Sequence, residues 1–252
     1  NEGMYRPVHV VAPEGSILNP KFPAAVVSRA VTGHYVPPLL FGALHQVVPD
    51  RVMAGAGSPL WAVQQTGLRA DGKPYPNIFF FNGGMGATPV KDGESATSWP
   101  SNISSTPVEV AECNSPLLFH YKRLRSKSGG RGGFRGGLGQ DILIESESAT
   151  PIVASFMAER TKFPAPGLAG GGAGGTGDVR INGRRIDNLP FEEMRKIRGR
   201  EIGAIFQDPL TSLNPLYTIG RQIIETIRTH LDVSESEARD RAIALLMEVG
   251  IP

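Results

Sequence analysis

Glycine crowds the first two thirds of this chain and nearly deserts the remainder, and no single fold suits both regimes. Of 31 glycines, 25 lie in residues 1–176 and 6 in residues 177–252. Proline divides 17 to 4 across the same line, whereas charged residues run 27 to 23 although the second segment is less than half as long. Glycine and proline interrupt helices and mark turns. The first segment is therefore expected to be strand, turn and loop, and the second helical and solvent-facing. The class is α+β, a strand-rich region followed by a mostly helical one.

Short β-prone runs sit between turn signals at Val8–Val11, Asn77–Phe81, Val108–Glu112, Leu117–Leu124, Asp141–Glu145 and Pro151–Phe156. Helical spacing is expected over about residues 23–31 and again over 38–47, where Leu40, Ala43, Leu44 and Val47 recur. Beyond residue 177 the signals are explicit. Phe191, Met194 and Ile197 share a face after Pro190, and Gly199 supplies a left-handed stop. Glu201–Phe206 reads as a buried strand. A helix from about Thr218 carries Ile219, Ile223, Ile227 and Leu231, and a capping box at Ser234 and Glu237 opens another, with a stripe of Ala238, Ala242, Leu245, Leu246 and Val249 before Gly250. These helices and one strand cannot close a parallel sheet alone, so their apolar faces want a partner.

The 26 basic and 24 acidic residues leave a net charge of +2, which argues for neither nucleic acid nor an anionic membrane as partner. A single cysteine, Cys113, rules out an intrachain disulfide framework and suits a reducing cytoplasm; structural burial is its expected role. The apolar run Ile78–Phe81 stops at Asn82, Gly83 and Gly84, far short of a membrane span. The chain begins at Asn1 and stops just after a helix stop at Gly250, so both ends read as cut.

The Gly167–Gly177 stretch has the spacing of a phosphate loop at Gly170 and Gly175, but Thr176 and Gly177 stand where lysine and a hydroxyl residue are required. A flexible or turn-forming loop is the expectation. Residues 129–137, Gly-Gly-Arg-Gly-Gly-Phe-Arg-Gly-Gly, look like an Arg-Gly-Gly box that binds RNA through arginine and aromatic stacking. One short copy within a strand-rich region is better read as a structural turn. The five histidines, at 9, 34, 45, 120 and 230, show no metal-ligand spacing, so no metal is expected.

Six ordered blocks resemble the C-terminal part of the hydantoinase B/5-oxoprolinase family over residues 1–180. They are Asn1-Glu2-Gly3 with Arg6 and Pro7 and the run VAPEGSILNPKFPAAV (Val11–Val26); Val48–Val52; Gly83, Gly84 and Gly86 leading to Lys91–Gly93, Ser95 and Ala96; Thr106–Glu109; the Ser128–Gly137 stretch; and Phe163, Pro164 and Pro166–Gly171. The resemblance implies pairing with a hydantoinase A-type subunit and ATP-coupled opening of cyclic amides such as hydantoins or 5-oxoproline. It also implies that ATP and Mg²⁺ are handled chiefly by that partner, and that the metal-linked residues of carboxylase relatives lie in a portion preceding these blocks. No catalytic residue is carried over.

Residues 177–252 are similar to ATP-binding proteins of oligopeptide/dipeptide ABC importers. The resemblance rests on MRKIRGREIGAIFQDPLTSLNPLYTIGRQIIE (Met194–Glu225), on the strand-turn VRINGRR (Val179–Arg185) and on the final helix ending LLMEVGIP. It implies that Gln207 is the loop glutamine that senses Mg²⁺ and the γ-phosphate, and that membrane permease subunits are partners. The lysine, signature and carboxylates of an ATP site lie outside these residues, so Gln207 is not expected to function here. Two domains are expected, 1–178 and 179–252, joined near residue 180. The chain then reads as part of a cyclic-amide hydrolase, incomplete and inactive alone, fused to an inactive ABC piece. The alternatives are an importer ATPase component with foreign N-terminal sequence, and an RNA-binding protein.

Overall fold

A computed structural model describes residues 9–26, 29–58, 60–199, 201–202 and 213–251. Helix α1 spans Arg29–Leu44 and a 3-10 turn follows at Pro49–Arg51. Strands β1 (Trp61–Leu68) and β2 (Pro74–Phe81) precede helix α2 (Val108–Asn114). Then come β3 (Leu117–Leu124), β4 (Gln140–Ser146) and β5 (Val153–Met157). A small hairpin, β6 (Arg180–Ile181) and β7 (Arg184–Arg185), leads to α3 (Phe191–Ile197), α4 (Ile219–His230) and α5 (Glu235–Glu248). Strand order is β2-β1-β5 in one sheet, β3-β4 in a second and β6-β7 in a third. The class is α+β.

The chain divides into two compact units, one of residues 1–64, 77–147 and 156–177, the other of residues 65–76, 148–155 and 178–252. In the first, strand alternation places Phe79 and Phe81 inward, 0% and 7% exposed, and Phe119 meets Phe79 edge-on at 5.9 Å. β3 and β4 pair antiparallel from Leu117 opposite Ser146 to Leu124 opposite Gln140, with a register shift between Phe119 and Tyr121 that makes His120 the extra residue of a bulge. α2 braces this ribbon, since Glu112 Oε1 accepts from the Phe119 amide at 2.7 Å.

In the second unit the β6–β7 turn places Asn182 and Gly183 at φ 48° and 77°, the left-handed pair a tight hairpin needs. Asp187 holds its base, accepting from the Val179 amide at 2.9 Å and pairing with Arg185 at 2.9 Å. α3 buries Ile197 and ends at Gly199, φ +84°, where any side chain would run into the His230 ring. α4 and α5 pack through Ile227, Ala238 and Ala242, flanked by Ile223, Ile224 and Val233. Their caps are the expected ones: Thr218 accepts from the Arg221 amide, and Ser234 and Glu237 form a reciprocal capping box.

Several expectations fail for identifiable reasons. Val108–Glu112 is helical, because its Val-Glu-Val alternation buries no face: Val110 is 49% exposed and only Ala111 turns inward. Cys113 is consequently exposed rather than buried. Residues 9–11 form no strand. Among the described residues one helix replaces the two expected before residue 50, running through Pro37 and Pro38, and none of its residues is buried. Strand β1 gave no turn-bounded signal, since its two glutamines and Gly67 dilute the apolar pattern. On α5 the inner half of the expected stripe, Ala238 and Ala242, is buried, while Val249 is 71% exposed. The expected strand over Glu201–Phe206 lies outside the described residues from 203 onward; Glu201 and Ile202 form a turn and a bridge.

Candidate functional site

The glycine-rich segments of the first unit meet as backbone against backbone. Gly57 donates to Gly84 O at 2.8 Å, Gly83 to Ser58 O at 2.7 Å, Met85 to Glu94 O at 2.8 Å, Gly137 to Met85 O at 2.9 Å and Gly93 to Arg135 O at 2.7 Å. A Cβ at Gly84 would overlap the Gly137 carbonyl, one at Gly93 the Met85 carbonyl and one at Gly129 the Gly136 carbonyl. The requirement for glycine here is therefore lateral room between main chains. The Arg-Gly-Gly stretch belongs to this lattice, with Arg135 bound to Asp92 through its amide at 2.7 Å and its guanidinium at 3.4 Å. RNA-binding boxes of this kind work as unfolded segments that order on their ligand, and this one is ordered by its own chain.

The 167–177 loop is occupied in the same way. The amides of Gly171, Gly172, Gly174, Gly175 and Gly177 donate to the carbonyls of Leu168, Arg131, Ala165, Ser128 and Arg160, at 2.6 to 3.0 Å. A phosphate cradle needs such amides free and aimed at a helix start, and the element that follows this loop is strand β6. These residues do not fit the phosphates of ATP. Gln207, the glutamine singled out for nucleotide sensing, lies outside the described residues. Among the described residues no three His, Cys, Asp or Glu side chains gather to hold a metal ion.

Chemistry-bearing groups converge instead just after β5. Glu159 Oε2 accepts from the Tyr35 hydroxyl of α1 at 2.9 Å and from Ser58 Oγ at 3.1 Å. Trp61 Nε1 holds the Glu159 carbonyl at 3.0 Å. The Arg160 guanidinium lies 4.8 Å from the Tyr35 ring centre and donates to Ala56 O at 3.4 Å and Pro164 O at 3.5 Å. Arg160 itself sits at φ 56°, an uncommon region for a bulky residue. Glu159 Oε1, Arg160 Nε and His34 Nδ1 are buried without a hydrogen-bond partner among the described residues.

Burial is the main cause of the altered acidity in this cluster. It raises the Glu159 carboxyl above its ordinary range, outweighing the hydrogen bonds from Tyr35 and Ser58 and the charges of His34 and Arg160 that pull the other way. Burial also pushes the Tyr35 phenol far up, reinforced by the Glu159 charge and hydrogen bond. A carboxyl inclined to keep its proton, joined to a phenol that keeps its own, can hold or relay a proton in a half-buried site. A separate group, Lys122, donates to Ser105 Oγ at 2.6 Å and Thr106 O at 2.8 Å, and burial holds its ammonium pKa below the usual value against the opposing pull of Glu109.

None of the Tyr35, Glu159 and Arg160 roles is visible as a motif. The one available signal is a Glu-Arg pair placed directly after a β-prone apolar run. Tyr35 lies 124 residues away, between Gly33 and Pro37, with nothing local to mark it.

A family model described as hydantoinase B/oxoprolinase matches residues 1–206. Curated relatives of the chain are transport ATP-binding proteins. The oligopeptide transport ATP-binding protein OppD of Bacillus subtilis is 38% identical over 114 residues, 45% of this chain and 31% of that protein. The dipeptide transport ATP-binding protein DppD of Escherichia coli is 47% identical over 74 residues, 29% of this chain and 23% of its own length. A putative peptide import ATP-binding protein of Brucella abortus is 51% identical over 73 residues, 28% and 22% respectively. The chain thus spans less than a third of each of these relatives. Among solved structures, a nucleotide-free acetone carboxylase, from work on ATP-dependent acetone carboxylation, aligns with a TM-score of 0.39 and 24% identity over 48% of this chain and 18% of that one.

Proposed function

Because the chain belongs to the hydantoinase B/oxoprolinase family through residues 1–206, we propose that it serves in an ATP-coupled hydrolase of cyclic amides, hydantoins or 5-oxoproline, as the C-terminal region of the B-type subunit. In this reading residues 1–178 form the hydantoinase-like part, and residues 179–252 are a piece of an oligopeptide/dipeptide ABC ATPase that carries no catalysis. An A-type subunit is the partner and the compartment is the cytoplasm. The match over 1–206 carries the proposal. The physical logic is that a lactam carbonyl is a poor electrophile, so activation at the expense of ATP makes attack by water feasible. That activation falls to the partner, since the glycine loop here has committed its amides to its own chain.

The Glu159 cluster is the part of this chain suited to support such chemistry, as a half-buried carboxyl of raised pKa. The test is to combine this region with the rest of a B-type subunit and an A-type subunit and to follow ATP-dependent ring opening of hydantoin and 5-oxoproline. Opening of either that requires both subunits is expected; opening of neither would defeat the proposal. The chain alone should show no saturable, Mg²⁺-dependent ATP binding.

A second reading, an importer ATP-binding component with foreign N-terminal sequence, is favoured by the 47% identity over 74 residues to a dipeptide transport protein. It requires association with membrane permease subunits. Co-purification of this chain with such a permease, in place of an A-type subunit, would select it.

A further inference from the structure

The first unit contains a helix with no buried residue. Sixteen residues form α1, yet none is buried, and Leu39, Leu40 and Leu44 are 71%, 55% and 46% exposed. An amphipathic stripe normally holds a surface helix in place, and α1 has none. Two side-chain anchors do the holding. Just before the proline pair, Tyr35 donates to Glu159 and lies under the Arg160 guanidinium. Near its end, Phe41 stacks on Trp99 at 5.6 Å. Between the anchors stand Pro37 and Pro38, which remove two backbone donors from the helix and so weaken it midway.

What lies against the first anchor is unusual for a protein interior. Glu159 Oε1, Arg160 Nε and His34 Nδ1 are shut from solvent without partners, a costly state for polar atoms. Arg160 adds its left-handed backbone, and such conformations concentrate at clamps and switches. Contact between α1 and these groups is therefore held in place against an opposing demand for hydration.

We propose that α1 is a hinged lid over the Glu159–Arg160 pair, latched by Tyr35 before its proline pair and by Phe41 on Trp99 after it, that opens to admit water or a polar ligand to the pair. The inference stands on the latch geometry and does not depend on the hydrolase reading. Titratable and charged groups facing Glu159 are Tyr35 and His34 from α1 and Arg160 from its own segment, with Ser58 as a neutral donor. The closed form holds the Glu159 proton more tightly than a hydrated, open form would. Closure is therefore favoured in acid and weakens as pH rises through the raised Glu159 value.

Hydrogen exchange on the full chain tests this, with rates corrected for intrinsic pH dependence and β3–β4 as the internal reference. Tyr35→Phe keeps the ring and removes the latch bond. It should speed exchange across residues 29–44 by about fivefold, the loss of one net hydrogen bond, and leave residues 117–124 and 140–146 unchanged. Phe41→Leu should produce the same local pattern. Wild-type protection over 29–44 should fall as pH rises through the raised Glu159 value, and Glu159→Gln should abolish that fall. The lid is overturned if Tyr35→Phe leaves 29–44 unchanged, if either latch variant loosens β3–β4 equally, or if Glu159→Gln retains the wild-type pH dependence.

Discussion

Replacing Gly137 with alanine should cost the first unit about 4 kcal/mol, whereas the same replacement at Gly133, in the same glycine run, should cost nothing. At Gly137 the added methyl overlaps the Glu94 carbonyl, both oxygen and carbon, and stands 3.0 Å from Gly93 O. Neither neighbour is a side chain that can swing away. That Glu94 oxygen accepts from Met85 N at 2.8 Å, while Gly137 N donates to Met85 O at 2.9 Å, so moving either main chain strains both bonds. Overpacking contributes about 2 kcal/mol and two weakened backbone bonds about 1 kcal/mol each. A total stability of about 5 to 15 kcal/mol would be cut substantially. Around Gly133 a Cβ meets nothing within 4 Å and φ is not positive, so alanine there should be neutral or stabilise by up to about 1 kcal/mol through the unfolded chain. Urea unfolding followed by tryptophan fluorescence reads this directly, because Trp61 and Trp99 both belong to the first unit. Equal midpoints for the two variants would refute the lattice.

Ser234→Ala removes the cap of α5 and should lower the stability of the α4–α5 pair by about 1 kcal/mol, read as lost helicity by circular dichroism on heating. Arg185 holds the Asp187 carboxyl below its usual range. Its contribution to the β6–β7 hairpin is therefore present above the ordinary carboxylate pKa and lost as pH falls through the lowered one, and Asp187→Asn should erase that acid sensitivity in amide exchange at Val179. Cys113, being exposed, should react with a thiol reagent in the native protein nearly as fast as in denaturant; strong native protection would contradict its place on α2.

Sequence legibility follows the range over which each structural cause acts. The capping box at Ser234 and Glu237, the stop at Gly199 and the Asn182-Gly183 turn are set by residues within three or four positions, and each is where its pattern puts it. Strand β3 announced itself through an apolar and aromatic run, and β4 through one carrying Ile142 and Ile144. Val108–Glu112 misled because a three-residue alternation carries no information about which side meets the core, and Ala111 alone decided it. Tyr35 and Glu159, 124 residues apart, are joined only by the tertiary fold, so no local spacing could have paired them. The glycines were visible as a composition, but their partners across the lattice were not.

Part of the packing of the first unit is peptide against peptide, carbonyl oxygens lying where a side-chain methyl would otherwise stand. Heat capacity responds to that difference. Unfolding exposes polar main chain along with apolar side chains, and hydration of the two changes heat capacity in opposite directions. This unit should therefore show a smaller heat-capacity increment than its length suggests and a flatter dependence of stability on temperature, losing less than an oily core of equal size when the cell is cold.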